Sequence, residues 1–209
     1  TLVHFDRLTA LPNLTLYLDR LNQAKRQADR YNQSLGQLYI DIDNFKDIND
    51  TLGHQAGNQL LIQMAERLMS TVRSSDTVAR LGSDEFIVLL TMINGRACCD
   101  ATASKIINAV SAPFIIRGVS RYITISIGIT LYPEDGISVS DILKNSDIAM
   151  HKAKEAGKNN YWFYSKKMNE AFQARIAMEH NLKKALSNDE LTLLYQPKVD
   201  LRTNKITGA

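Results

Sequence analysis

Residues 37–43 read Gln-Leu-Tyr-Ile-Asp-Ile-Asp, a strict alternation that puts Leu38, Ile40 and Ile42 on one face of an extended strand and Tyr39, Asp41 and Asp43 on the other. Aspartate is a poor strand residue, so acids closing so regular a pattern need a reason beyond packing. A second acidic tip lies in residues 78–90, Val-Ala-Arg-Leu-Gly-Ser-Asp-Glu-Phe-Ile-Val-Leu-Leu. Gly82 and Ser83 supply the small residues of a tight turn, and Phe86, Ile87 and Val88 resume a strand at once, which predicts a β-hairpin. Asp84 and Glu85 then stand at a rigid sheet end, either as surface punctuation or as ligands for a hard cation such as magnesium.

The remaining chain supplies the layers. Residues 13–30 predict an opening helix near Pro12, with Leu14, Leu18, Leu21 and Ala28 on one face. Residues 58–72 predict a second, whose Leu61, Met64, Ala65, Leu68 and Val72 are core. A third spans 97–112 and stops before Pro113. Residues 114–116 and 122–131 flank Arg117-Gly118-Val119-Ser120 as a second hairpin. In its second strand Ile123, Ile125, Ile127, Ile129 and Leu131 alternate with small residues, and Gly128 points to a close backbone approach. Ser138 and Asp141 form a capping box that opens a helix to residue 155, with Ile142, Ser146, Ala149, Met150 and Ala153 inward and Gly157 at its end. Residues 161–164 are an aromatic last strand. The fold class is α/β, a mixed central β-sheet flanked by helices. Residues 1–165 form the main domain. Residues 166–187 are a connecting helix bearing Met168, Phe172, Ile176, Leu182 and Leu186, and residues 188–209 begin another domain with a strand, a turn at Thr203-Asn204 and a further strand.

A chain of 209 residues that is 44% hydrophobic buries one good core. Its net charge is only +3 and its 25 basic residues are dispersed, which argues against a nucleic-acid polymer as partner. The two cysteines, Cys98 and Cys99, are adjacent in a predicted helix and suit neither a disulfide nor a metal framework, so a reducing cytoplasm is expected. No stretch is apolar enough to span a bilayer or ordered like a secretory signal. The chain starts without Met and reads as an excised piece, which a membrane anchor can precede in the parent.

The two acidic tips, with Asn44-Phe45-Lys46-Asp47-Ile48-Asn49-Asp50 and Gly53-His54-Gln55-Ala56-Gly57-Asn58 beside the first, resemble the GGDEF family of diguanylate cyclases. The likeness begins at Asp6-Arg7-Leu8-Thr9-Ala10-Leu11-Pro12-Asn13 and continues through Ser126-Ile127-Gly128-Ile129, Tyr132-Pro133-Glu134-Asp135-Gly136 and Ser146-Asp147-Ile148-Ala149-Met150. Residues 194–201, Leu-Tyr-Gln-Pro-Lys-Val-Asp-Leu, are similar to the opening of an EAL cyclic di-GMP phosphodiesterase domain, but the chain stops before that family's glutamate motif and no phosphodiesterase activity is credited to it.

The resemblance implies a nucleotide cyclase-like fold that condenses two GTP into cyclic di-GMP and pyrophosphate, one GTP on each domain of a homodimer. It implies two Mg2+ or Mn2+ ions per half-site, held by Asp41, the carbonyl of Ile42 and Asp84. Asp84 or Glu85 would help deprotonate the attacking hydroxyl. Asp43 and Asp47 match less directly and are expected to be solvated or capping carboxylates. Phosphate charge would be met by Lys46, Lys154 and Lys158, of which the last two, without the resemblance, read as complements to a helix C-terminus. Base and ribose contacts would come from Asn49, His54 and Asn58, with Gly82 and Ser83 lining the nucleotide. Arg73 and Asp76, five residues before Gly82 in an RxxD arrangement, match an inhibitory site that binds cyclic di-GMP. The same resemblance carries a second reading, in which a non-catalytic domain binds GTP or cyclic di-GMP and regulates an EAL domain of the same parent chain.

Two positions depart from the family pattern. Ser83 replaces the second signature glycine, and if that position requires positive φ a Cβ there costs roughly 1–2 kcal/mol. Asn58 replaces an aspartate. One carboxylate accepts both guanine donors, N1–H and the exocyclic amine, whereas an amide accepts one and turns its own NH₂ toward the other. The loss is roughly 1.5–3 kcal/mol, on the order of ten- to a hundredfold in affinity. Adenine offers one donor and one acceptor, which an amide matches. Calorimetric titration with magnesium and either GTP or ATP should therefore show a narrow gap between the two purines; a strong guanine preference would overturn this account of Asn58.

Overall fold

The structure, a computed structural model, describes residues 3–188 and 190–208, with only the backbone of Ile176 and Leu186. Those two predicted apolar positions, and Ala209, lie outside what is described. Helix α1 (Leu14–Tyr31) leads into strand β1 (Ser34–Ile42), helices α2 (Phe45–Leu52) and α3 (His54–Thr71), and strands β2 (Thr77–Arg80) and β3 (Glu85–Ile93). Helix α4 (Arg96–Ser111) is followed by β4 (Phe114–Ile116), β5 (Val119–Arg121), β6 (Ile125–Tyr132), α5 (Val139–Glu155) and β7 (Asn160–Phe163). Helix α6 (Lys166–Ser187) and strands β8 (Lys198–Asp200) and β9 (Lys205–Gly208) complete the chain. Two compact units emerge, residues 1–169 and 170–209. No helix among the described residues is long and apolar enough to cross a membrane.

The first unit is a five-stranded sheet in the order β2-β3-β1-β6-β7, antiparallel except that β7 runs parallel to β6. Its alternation divides the core. Leu38 and Ile40 of β1 pack with Leu60 and Met64 of α3 and Ala103 and Ile106 of α4 on one face. Tyr17 and Leu21 of α1 pack with Ile87 and Leu89 of β3 and Ile142 of α5 on the other. With both faces covered, β6 is buried along its whole length, the small residues included.

Gly128 explains how α5 reaches that second face. A Cβ built there would overlap the Ser146 carbonyl oxygen and the Met150 nitrogen of α5, so the helix backbone lies directly on β6. A buried polar network fixes it in place: Tyr17 Oη donates to Gln37 Oε1 at 2.6 Å, and Gln37 Nε2 donates to Ser146 Oγ at 2.6 Å and to the Ile142 carbonyl at 3.1 Å. The predicted capping box at Ser138 and Asp141 is present.

Four expectations change. Residues 45–52, assigned no element from the sequence, form α2, because Phe45, Ile48 and Leu52 recur at helical spacing and pack on the core. Gly53, at φ +81°, turns the chain into α3, which starts at His54 rather than at residue 58. In α1 the buried stripe is Tyr17, Leu21, Ala24 and Ala28, while Leu14 is exposed. The second hairpin closes between β4 and β5, and β6 leaves it to join the main sheet.

The second unit contains the β8–β9 hairpin, with its turn near residues 200–204 and residues 191–197 outside any strand. Leu193, Leu194 and Leu201 are exposed there.

Because the α5 backbone cannot retreat without leaving β6, Gly128→Ala should cost on the order of 3 kcal/mol, read as a lowered denaturation midpoint. A midpoint equal to that of the wild type would mean that α5 does not lie on this strand.

Candidate nucleotide and metal site

The β1–β3 register places Asp41 opposite Glu85, and the Ile42 amide donates to the Asp84 carbonyl at 3.3 Å. The two acidic tips thus meet at one end of the sheet. Asp41 is buried and its carboxyl is pushed up to about 6: burial contributes most, Lys154 opposes it, and Asp84 and Glu85 add repulsion. Lys154 Nζ lies 2.8 Å from Asp41 Oδ2. Tyr39, on the same face of β1, has its hydroxyl pushed well up by burial and by the charges of Glu85 and Asp147.

The signature turn is braced from the N-terminal segment. Arg80 Nη1 lies 3.0 Å from Asp6 Oδ1, and Arg80 Nη2 donates to the Ser83 carbonyl at 2.8 Å. Asp6 also accepts from the Thr9 amide and hydroxyl at 2.8 and 2.6 Å. Burial alone would raise the Asp6 carboxyl, but the Thr9 hydrogen bonds and the Arg80 guanidinium together hold it below its usual value. Neither Gly82 nor Ser83 has positive φ, so the strain anticipated for a serine does not arise. Ser83 is exposed, and its hydroxyl donates to Asp84 Oδ1.

Asp43 corrects another expectation. Far from solvated, it is buried and accepts from Thr124 Oγ1 and Ser126 Oγ, each at 2.7 Å, and from the Asn159 amide at 3.1 Å. It ties the end of β1 to the start of β6 and to the turn after α5, where Lys158 and Asn159 take left-handed backbone conformations. The small hydroxyl residues on β6 were the available sequence signal for it. Asp47 is exposed in the first turn of α2, as expected of a solvated or capping carboxylate.

Lys158 Nζ donates to Asn44 Oδ1 at 2.6 Å, so both lysines of this segment reach the end of β1. Lys46 is exposed on α2. Asn49 is half-buried against α3, where a Cβ on Gly57 would overlap its Oδ1, and His54 and Asn58 are exposed on the first turns of that helix. Arg73 and Asp76 line a separate cavity of ≈ 550 Å³ with Cys98 and Lys105. Asp76 already uses both oxygens on main-chain donors, Arg73 N at 3.1 Å and Thr91 N at 3.3 Å.

The residues at the strand ends fit a divalent cation. A buried carboxylate crowded by two more acids and touched by one ammonium retains negative potential that a cation relieves. Among the described residues no group of three or more His, Cys, Asp or Glu side chains is placed to hold a metal ion by itself. A carboxyl with its folded pKa raised from 3.8 to about 6 favours the fold while protonated and loses that contribution as pH rises through about 6. In chelator-treated protein, the melting temperature of the wild type minus that of Asp41→Asn should fall between about pH 4 and pH 7. A flat difference would mean that Asp41 carries no such strain.

Residues 3–160 match the family described as diguanylate cyclase, GGDEF domain. The bifunctional diguanylate cyclase/cyclic di-GMP phosphodiesterase MucR of Pseudomonas aeruginosa is 44% identical over 196 residues, which is 93% of this chain but only 28% of that protein. Among solved structures, the GGDEF domain of TpbB from the same species superposes with a TM-score of 0.79 at 38% identity, covering 81% of this chain and 99% of that one. The GGDEF domain of DgcB from Caulobacter crescentus, solved in complex with c-di-GMP, gives 0.71 at 26% identity, covering 77% and 95%. This chain belongs to the GGDEF family of diguanylate cyclase domains and has the nucleotide cyclase-like fold.

Proposed function

We propose that this domain condenses two GTP molecules into cyclic di-GMP and pyrophosphate, one GTP bound by each of two facing copies. The observation that carries this reading is the convergence of Asp41, Asp84 and Glu85 at one sheet end with Lys154 beside them. Asp41, the Ile42 carbonyl and Asp84 would hold Mg2+ or Mn2+, two ions per half-site, which supply Lewis acidity at the α-phosphate and acidify the 3′-hydroxyl. Glu85, with Asp84, takes the hydroxyl proton as the 3′-oxygen bonds to the α-phosphorus of the facing nucleotide. The bond from that phosphorus to the β-phosphate bridge breaks and pyrophosphate leaves; the same exchange on the other nucleotide closes the ring and releases the second pyrophosphate. Lys46, Lys154 and Lys158 neutralise phosphate charge, while Asn49, His54 and Asn58 face base and ribose. Gly82 lines the nucleotide and leaves room for the Glu85 carboxylate, since a Cβ there would come within 3.1 Å of it. Ser83 keeps turnover because its backbone is relaxed and its hydroxyl is turned to Asp84.

A second reading is favoured by Asn58 and by the cavity at Arg73 and Asp76, which takes cyclic di-GMP in this account. Here the domain is a degenerate binding module that controls an adjoining phosphodiesterase. Residues 188–209 would begin that EAL domain, whose further chain would cover Leu193, Leu194 and Leu201. Both readings place the protein in cyclic di-GMP signalling in the cytoplasm.

Incubation with GTP and magnesium followed by chromatography separates them. The first reading expects cyclic di-GMP and pyrophosphate, with the rate cut on the order of 10²–10⁴-fold by Glu85→Gln. Absence of product from the wild type, alongside retained cyclic di-GMP binding, would overturn it in favour of the second.

A further inference from the structure

The cation that already sits on Asp41 is the protein's own. Lys154 comes from the last turn of α5, and its ammonium, 2.8 Å from Asp41 Oδ2, is carried by a side chain that is 30% exposed while that of Asp41 is 8% exposed, so the buried carboxylate already has a cation from the more open side chain. The site is therefore plugged by Lys154 before any ligand arrives. Lys158 differs, since its partner is the neutral amide of Asn44. Asp147 also lies near Lys154, and its carboxylate is 3.7 Å from the His151 imidazole.

We propose that Lys154 is a placeholder that couples metal to nucleotide: its ammonium occupies the cation seat on Asp41 in the free domain and transfers to the triphosphate when a divalent cation takes that seat. This rests on the nucleotide reading above and adds to it a coupling between two ligands. A cation arriving alone must break the Lys154–Asp41 pair and strand an ammonium at the site. Arriving with a triphosphate, it leaves that ammonium a new anionic partner. Each ligand then tightens the other, by the same factor in both directions. A lysine that served only the phosphates would lower nucleotide affinity when removed and leave the affinity for metal alone unchanged.

The test is calorimetric titration of Mn2+ into the metal-free full chain, with and without a GTP analogue whose α–β bridge cannot be cleaved. Lys154→Met should tighten Mn2+ binding in the absence of nucleotide on the order of tenfold and shrink the enhancement given by the analogue by a similar factor. Lys154→Arg should keep the wild-type pattern. Lys152→Met, which removes an equal charge from the exposed side of α5, should leave both affinities unchanged. Circular dichroism establishes that each variant is folded, and the wild-type coupling factor, measured in both directions, tests the proposal without any variant. Unchanged or weaker binding of Mn2+ alone to Lys154→Met would overturn the placeholder, as would independent binding of the two ligands to the wild type. A wild type that binds neither ligand would remove the nucleotide reading itself.

Discussion

The functional end of this domain depends on the antiparallel register between β1 and β3. Seven main-chain partner pairs, from Ser34 with Ile93 to Asp41 with Glu85, fix which residues share the strand end. Slipping β1 by one residue would turn Leu38, Ile40 and Ile42 away from their core, so burial enforces the pairing that crowds the acids. Two like charges about 4 Å apart repel by roughly 4 kcal/mol at an effective dielectric constant of 20, which a surface loop would relieve by moving. A central strand with neighbours on both sides cannot. Carboxylate crowding is thus a consequence of sheet packing, and Lys154 offsets part of it.

That lysine is placed by a contact far from the acids. The seat of α5 is set by Gly128, which allows backbone to touch backbone, and by Gln37, which spends its whole amide on Tyr17, Ser146 and Ile142. Two turns beyond Ser146 the same helix delivers Lys154, and the following turn delivers Lys158 and the Asn159 amide. Asp43 closes the assembly by holding three segments on one carboxylate. Its role is positional: it fixes the end of β1 and the turn after α5 in one frame, so that the cations and the acids share a rigid support.

What the sequence made legible follows the range of the forces involved. The α5 capping box, the alternation of β1 and β6, and the acid-tipped β2–β3 hairpin are local or periodic, and they could be read directly. Gly128 was legible because a glycine inside an otherwise β-branched strand needs a close neighbour, although which helix supplied it was not. Helix α2 was missed because Asn44, Asn49 and Asp50 look like loop residues until Phe45, Ile48 and Leu52 find a core to enter. Asp43 was misread because its donors lie 81, 83 and 116 residues away. Strand β4 was paired wrongly with β6, rather than with β5, because Ile123 and Ile125 continue the apolar pattern on both sides of the point where the chain changes sheets.

The same contrast separates residues chosen by the fold from residues chosen by a ligand. At Gly57 and Gly128 any side chain meets atoms already in place, and at Gly53 the backbone itself favours glycine, so those identities follow from packing and conformation alone. Asn58 and Ser83 are different. Both are exposed and neither has positive φ, so aspartate at one and glycine at the other would fold as well. Neither identity is imposed by packing or backbone strain, and the Ser83 hydroxyl is turned to Asp84 at the edge where a ligand would lie. Asp41 falls on neither side cleanly, because a buried carboxylate among acids is a poor choice for stability and a good one for a cation. The residues that work against the fold, and those to which it is indifferent, are therefore the ones that carry information about the ligand.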